Sequence, residues 1–116
     1  MKITIRQVAP GDVAAITGLS HQLGYPLSQG QILQNIKAVL ANKDHDAFVA
    51  EYQNKIIGWI GVAHIIMIEM TPHCEINGLV IDEQYRGKGV GKLLIEKAKQ
   101  WGKEKGNDTL SVRCAM

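Results

Sequence analysis

Cysteine is scarce. Cys74 and Cys114 are the two present in 116 residues, so one bridge at most is available, and neither a CxxC pair nor a Cys/His spacing offers a zinc site. Both read as free thiols of a reducing cytoplasm. Long apolar runs are missing too. The longest, Ile56–Ile68, is broken by Gly58, Gly61 and His64 and falls short of the roughly 20 residues that a membrane helix needs. Met1-Lys2-Ile3-Thr4-Ile5-Arg6 alternates instead of following a basic end with an apolar stretch, so no secretory signal is expected. Charge of one sign is lacking as well: 13 Lys+Arg oppose 11 Asp+Glu, a net +2, without the dense basic face that nucleic-acid binding demands. Repeats, linkers and low-complexity tracts are absent.

What is present suits one folded domain, residues 1–116. A chain of this length makes about one domain and hides roughly two-thirds of the surface its unfolded form exposes. With 46% hydrophobic and 21% charged residues, it can build a core without metals or bridges. Ile3 and Ile5 alternate within Lys2–Val8, which predicts a first strand, broken by Pro10-Gly11-Asp12. Val13, Ile16, Leu19 and Leu23 recur at helical spacing, and Gly24 stands where that helix should end. Ser28 and Gln31 form a capping-box pattern ahead of Ile32, Ile36, Val39 and Leu40, one face of a second helix. Ala47–Gln53 and Ile56–Ile68 read as a hairpin turning at Asn54-Lys55. Thr71-Pro72 reads as the next turn and Cys74–Ile81 as another strand. Val90, Leu93, Leu94, Ala98 and Trp101 carry a helical period closed by Gly106. Leu110–Cys114 alternates as a last strand, parallel to Cys74–Ile81 across a right-handed crossover. The expected fold class is α/β, one mixed sheet with helices.

The chemistry is concentrated in Leu79–Lys92. An apolar strand runs into a loop with glycines at 87, 89 and 91, and the loop opens a helix. The first turn of a helix leaves about four backbone N–H groups unpaired, and its dipole places roughly half a positive charge there. Glycines clear side chains away from those donors, and Arg86, Lys88 and Lys92 add charge, which together make a diphosphate cradle. A Walker A loop is excluded, since Arg86 stands at its first glycine position and Leu93 at its hydroxyl position. The dinucleotide fingerprint fits poorly, because its third glycine comes one place early at Gly91 and Asp108 precedes the final strand. Lys97, Lys99, Lys103 and Lys105 continue the basic segment against Glu96 and Glu104. They equally describe a solvated helix face.

Arg86-Gly87-Lys88-Gly89-Val90-Gly91 resembles the Arg/Gln-x-x-Gly-x-Gly/Ala signature of the general N-acetyltransferase (GNAT) superfamily, and Leu79-Val80-Ile81-Asp82-Glu83 resembles the strand that precedes it there. Element order extends the resemblance over nearly the whole chain, although Glu75–Ala98 alone is motif-grade. The resemblance implies a GNAT-like acyl-CoA acyltransferase fold, acetyl-CoA as co-substrate without a metal, and direct transfer of acetyl to a small-molecule or peptide amine. It assigns cofactor binding to Leu79, Val80, Ile81, Arg86, Gly87, Lys88, Gly89, Val90, Gly91 and Lys92. Leu79–Ile81 would hydrogen-bond the pantetheine arm like an added strand, with one N–H polarising the thioester carbonyl.

Glu75 is the candidate base, because strand register gives it a face in common with Asn77, Leu79 and Ile81. A solvated strand-edge carboxylate is the plain alternative, and a bulge near Gly78 would flip that register. His73 and His64 are weaker candidates, more simply solvated or hydrogen-bonded. Cys74 should point into the core, Glu69 is a rim carboxylate able to attract a cation, and Trp59 and Tyr52 read as packing residues. Family members usually continue past this point with a further helix and two strands, which typically carry a cofactor-contacting asparagine and an acidic tyrosine. Unless a residue from elsewhere supplies the acid, the thiolate would lack its usual one, and Leu110–Cys114 would be an open edge. A partner subunit that completes the fold, a truncated coding sequence and a fragment all fit, and a homodimer through the C-terminal strand region is expected. Two rivals stand beside an N-acetyltransferase: a catalytically impaired CoA-binding or oligomerisation module, and a protein binding ATP or NAD by the same loop.

Overall fold

The computed structural model describes residues 1–112. Local chemistry sets the element boundaries. Strand β1 (Thr4–Gln7) leads to a single helical turn fastened by Asp12. The Asp12 carboxylate accepts the Ala9 N–H at 2.8 Å and both ends of the Arg6 guanidinium at 2.9 and 2.8 Å. Helix α1 (Val13–Gln22) stops just before Gly24, whose φ of 81° a residue with a Cβ adopts at a cost. Ser28 Oγ accepts the Gln31 N–H at 3.2 Å and opens α2 (Gln29–Ala41), as the capping pattern predicts.

The sheet continues with β2 (His45–Tyr52), β3 (Lys55–Met67) and β4 (Met70–Ile81), then α3 (Val90–Glu104) and β5 (Leu110–Val112). Among the described residues the strand order is β1-β2-β3-β4-β5, antiparallel except for the parallel β4–β5 pair. This is the expected mixed α/β sheet. Arg113 and Cys114, assigned to the last strand from sequence, lie outside the described residues. Two turns differ from expectation. The first hairpin turns at Gln53-Asn54, with φ of 49° and 63° and Tyr52 opposite Lys55. A two-residue loop of this kind requires positive φ at both central positions. The second turns at Ile68-Glu69, with Met67 opposite Met70, and Thr71-Pro72 belongs to β4. The ladder is irregular there, between the Ile65–His73 and Met67–Met70 pairs, which accommodates a proline that has no N–H to donate.

Each sheet face carries its own core. α3 covers Phe48, Ile60, Val62, Ile76 and Leu79 with Val90, Leu94, Ala98 and Trp101. α1 and α2 cover Val49, Ile56 and Val80 with Ile16, Leu19, Ile32 and Ile36. Each fully buried aliphatic side chain stabilises the fold by about 1.5–3 kcal/mol. Leu93 departs from the predicted core set and is 41% exposed. Val90, Leu94 and Ala98, four residues apart, form the buried stripe, and Leu93 lies to one side of it.

One irregularity decides what the sheet can do. Gly61 pairs with Gly78 while Val62 pairs with Ile76, so Asn77 is an extra residue in β4 with no opposite number. Such a bulge reverses the alternation of faces. Leu79 and Ile76 both belong to the α3 core, and Glu75, opposite Ala63, turns to the α1–α2 face. The expectation that Glu75 shares a face with Leu79 and Ile81 is therefore corrected. Strict period-2 reading fails across Asn77.

Candidate active site

The cleft beside α3 is built from two backbones. β5 accompanies β4 over Cys74–Ile76 among the described residues. Beyond Ile76, β4 therefore runs along Asn77–Ile81 with its outer edge unpaired by any described strand. At the end of that edge Asp82 reverses the chain. It is buried, its N–H donates to Ile57 C=O at 2.9 Å, and its Oδ1 accepts the Gln84 N–H at 3.0 Å. The turn places Arg86 beside the strand end, where its Nε donates to Ile81 C=O at 3.3 Å.

Gly87 and Gly89 then take φ of 75° and 86°, and Gly89 caps α3 without any side-chain hydrogen bond. The Leu93 N–H donates to Gly89 C=O at 3.2 Å. The amides of Val90, Gly91 and Lys92 precede the first intrahelical donor and have no carbonyl a full turn earlier to bond. A Cβ at Gly87 or Gly89 would meet no heavy atom within 4 Å. These glycines serve backbone conformation and an open approach; packing does not demand them. Val90, buried in the α3 core, fixes the orientation of the helix start.

These parts enclose a cleft of about 750 Å³ lined by Leu79, Ile81, Arg86, Gly87, Gly89, Val90, Gly91 and Lys92, with Leu23, Tyr85, Ile95, Glu96 and Lys99. Most of the sequence-selected binding residues thus share one surface. Lys88 is exposed beside it. Val80 turns its side chain into the opposite core, 2% exposed, so only its backbone can face the cleft edge. Ile95 escaped sequence reading and Lys99 was read there only as part of the basic segment, although both follow Gly91 at four-residue intervals and so share its helix face. Open amides, a helix dipole and the cations Arg86 and Lys92 can hold a diphosphate, and the β4 edge that no described strand pairs can bond an extended amide chain.

The other face presents different groups. His45, Ala63, Glu75 and Ser111 are successive cross-strand partners, so His45 and Glu75 flank the small Ala63 at about 10 Å backbone separation. His45 was not selected from sequence, since only register brings it there. His73 is buried with Nδ1 at 3.2 Å from Thr71 C=O, and His64 Nδ1 lies 2.9 Å from Asn107 Nδ2. Both histidines are hydrogen-bonded, as the plainer reading of each expects. Cys74 is buried against α3, and burial with the neighbouring Glu75 charge pushes its thiol pKa up. Glu69 sits exposed in the β3–β4 turn. Tyr52 packs edge-on against Tyr85 at 5.9 Å. Trp59 packs over Gly78 and also lines a second cavity of about 480 Å³ beneath α1 and α2. Among the described residues no helix is long and apolar enough to cross a membrane.

The strand edge that no described strand covers and the glycine-punctuated helix start together form the candidate site. The pattern of the Acetyltransferase (GNAT) family matches residues 14–116. The chain belongs to that family. It is 30% identical over 102 residues to an uncharacterized N-acetyltransferase of Chlorobaculum tepidum, a match covering 88% of this chain and 61% of that protein. The fold is shared with a GNAT family acetyltransferase of Staphylococcus aureus, at a TM-score of 0.86 and 23% identity, covering 100% of this chain and 89% of that one. It is shared also with AAC(6')-Iy in complex with the bisubstrate analog CoA-S-monomethyl-acetylneamine, at a TM-score of 0.85 and 22% identity, covering 99% and 81%.

Proposed function

We propose that this chain transfers an acetyl group from acetyl-CoA directly to a primary amine, carried by a small molecule or a peptide. The observation that carries the proposal is the cleft joining the β4 edge, unpaired by any described strand, to the open amides at the start of α3. In this reading the amides of Gly87–Lys92, with Arg86, Lys88 and Lys92 beside them, hold the diphosphate. The edge Leu79–Val80–Ile81 hydrogen-bonds the pantetheine arm, and one of its N–H groups polarises the thioester carbonyl. Acetyl-CoA supplies the activated acetyl group: the C–N bond forms as the C–S bond breaks, one proton leaving the amine and one reaching the departing thiolate. Glu75 accepts the amine proton, directly or through water. Its place on the face opposite Leu79 and Ile81 supports a division of labour, cofactor on the α3 side and acceptor on the α1–α2 side, meeting at the gap beside Asn77.

Calorimetry with CoA, ATP and NAD tests the ligand. Thiol release over a panel of amines, repeated with Glu75→Gln, tests the reaction. ATP binding tighter than CoA overturns the cofactor assignment, and CoA binding without turnover across the panel leaves a CoA-binding or oligomerisation module. A cytoplasmic location and a homodimer paired through the β5 region belong to the same reading, the homodimer supported by Val112, 55% exposed on that strand. A monomer by light scattering at high micromolar concentration removes it.

A further inference from the structure

The cavity beneath α1 and α2 has a chemical character of its own. Its walls are Val8, Ile16, Ile32, Ile36, Ala47 and Trp59. The indole Nε1 of Trp59 is buried without a partner, so the wall this residue offers is ring carbon. The floor is bare. Gly61 and Gly78 are cross-strand partners, and a Cβ on Gly61 would collide with Asn77 Oδ1, one on Gly78 with the Trp59 ring. Asn77, at the bulge, closes one end of the cavity. That end adjoins the Glu75 row, about one pleat (~7 Å) away along the sheet.

Charge is sparse in the cavity. Neither lysine, arginine nor glutamate lines it; its one fixed charge is the Asp46 carboxylate, whose Oδ1 accepts Gln7 Nε2 at 3.0 Å and the Ala47 N–H at 2.8 Å, and His45 stands beside it. One ammonium can meet Asp46, and each further one entering this space would lose its hydration with no counter-charge of its own.

We infer that the acceptor is a monoamine on a compact apolar body, of ring or short-chain size, with its nitrogen at Asn77 and its body between Trp59 and Ile32. The inference rests on the acetyltransferase reading for its direction: the nitrogen end is the end nearest the cofactor cleft. Polycations, aminoglycosides included, are excluded as good acceptors, although proteins sharing the fold are named for them.

Calorimetry on the CoA-saturated protein compares ethylamine, butylamine, 2-phenylethylamine, spermidine and kanamycin A. Affinity should rise about tenfold for two added methylenes, and 2-phenylethylamine should bind at least tenfold tighter than either polycation. The two tryptophans supply a locator. The Trp59 indole resonance should move on adding 2-phenylethylamine while Trp101, packed with α3, stays fixed. Equal or tighter binding of spermidine or kanamycin A overturns the inference, as does binding of no amine, affinity flat with chain length, or a shift confined to Trp101. Failure of CoA itself to bind sinks the acetyltransferase reading instead, and the amine series on the free protein still tests the cavity.

Discussion

Gly89 and Gly106 bracket α3 with nearly the same φ, 86° and 85°, and a Cβ at either would meet nothing within 4 Å. Replacing each by alanine therefore imposes the same physical penalty at opposite ends of one helix. A left-handed alanine costs about 1–2 kcal/mol, and about 0.4–1 kcal/mol returns through the stiffer unfolded chain. Each variant should lose about 1 kcal/mol, a fall in Tm of roughly 3–6 °C at this size. Ligand affinity should separate them. Gly89 lines the cleft, and its added methyl stands among the open amides. Loss of a single charge-assisted hydrogen bond is worth about 1.5–3 kcal/mol, so the CoA Kd should rise roughly 10–100-fold in Gly89→Ala and stay within about twofold in Gly106→Ala. Thermal melts and calorimetry with CoA measure both effects. Unchanged CoA affinity in Gly89→Ala refutes the cradle. Equal weakening in both variants assigns the effect to helix distortion.

Three further perturbations are specific. Glu75→Gln should lower turnover about 100-fold in a thiol-release assay while leaving CoA affinity unchanged, and full activity would remove Glu75 as the base. In Gly78→Ala the new Cβ would lie 2.6 and 2.7 Å from Trp59 Cζ3 and Cη2. The rigid ring must move, so a loss of about 1–3 kcal/mol and altered tryptophan emission should follow, and a melt identical to wild type would contradict that packing. The Arg6 hydrogen bonds hold the Asp12 carboxyl below its ordinary value of 3.8, against the opposing effect of burial. The unfolded chain then takes up the proton first as pH falls, so this contribution is complete well above pH 4 and drains away below it. Asp12→Asn should cost about 1–2 kcal/mol at pH 7. Denaturant melts of the two proteins should converge under strongly acidic conditions, and a gap that persists or widens would contradict the assignment.

Local chemistry alone determined much of this protein. Gly24 and Ser28 punctuate the first two helices as their residue types require, and the Arg86–Gly91 pattern announces a helix start stripped of side chains. Those features depend on neighbours a few residues apart, which the chain order displays directly. Leu93 shows where such reasoning thins, because a helical period marks an apolar sector and packing against the sheet chooses which part of it is buried.

Tertiary structure decided the site's two-sidedness. The same alternation that identifies β4 puts Glu75, Leu79 and Ile81 on one face, and it is the pairing with β3, Gly61 to Gly78 and Val62 to Ile76, that leaves Asn77 over and turns Glu75 the other way. His45 reaches the Glu75 row, and Trp59 the acceptor-side cavity, by the same lateral pairing. A bulge is a mismatch in length between two strands. It exists only once both are hydrogen-bonded, so Gly78 can hint at it in the sequence but only the pairing shows that it is there and that Asn77 is the extra residue.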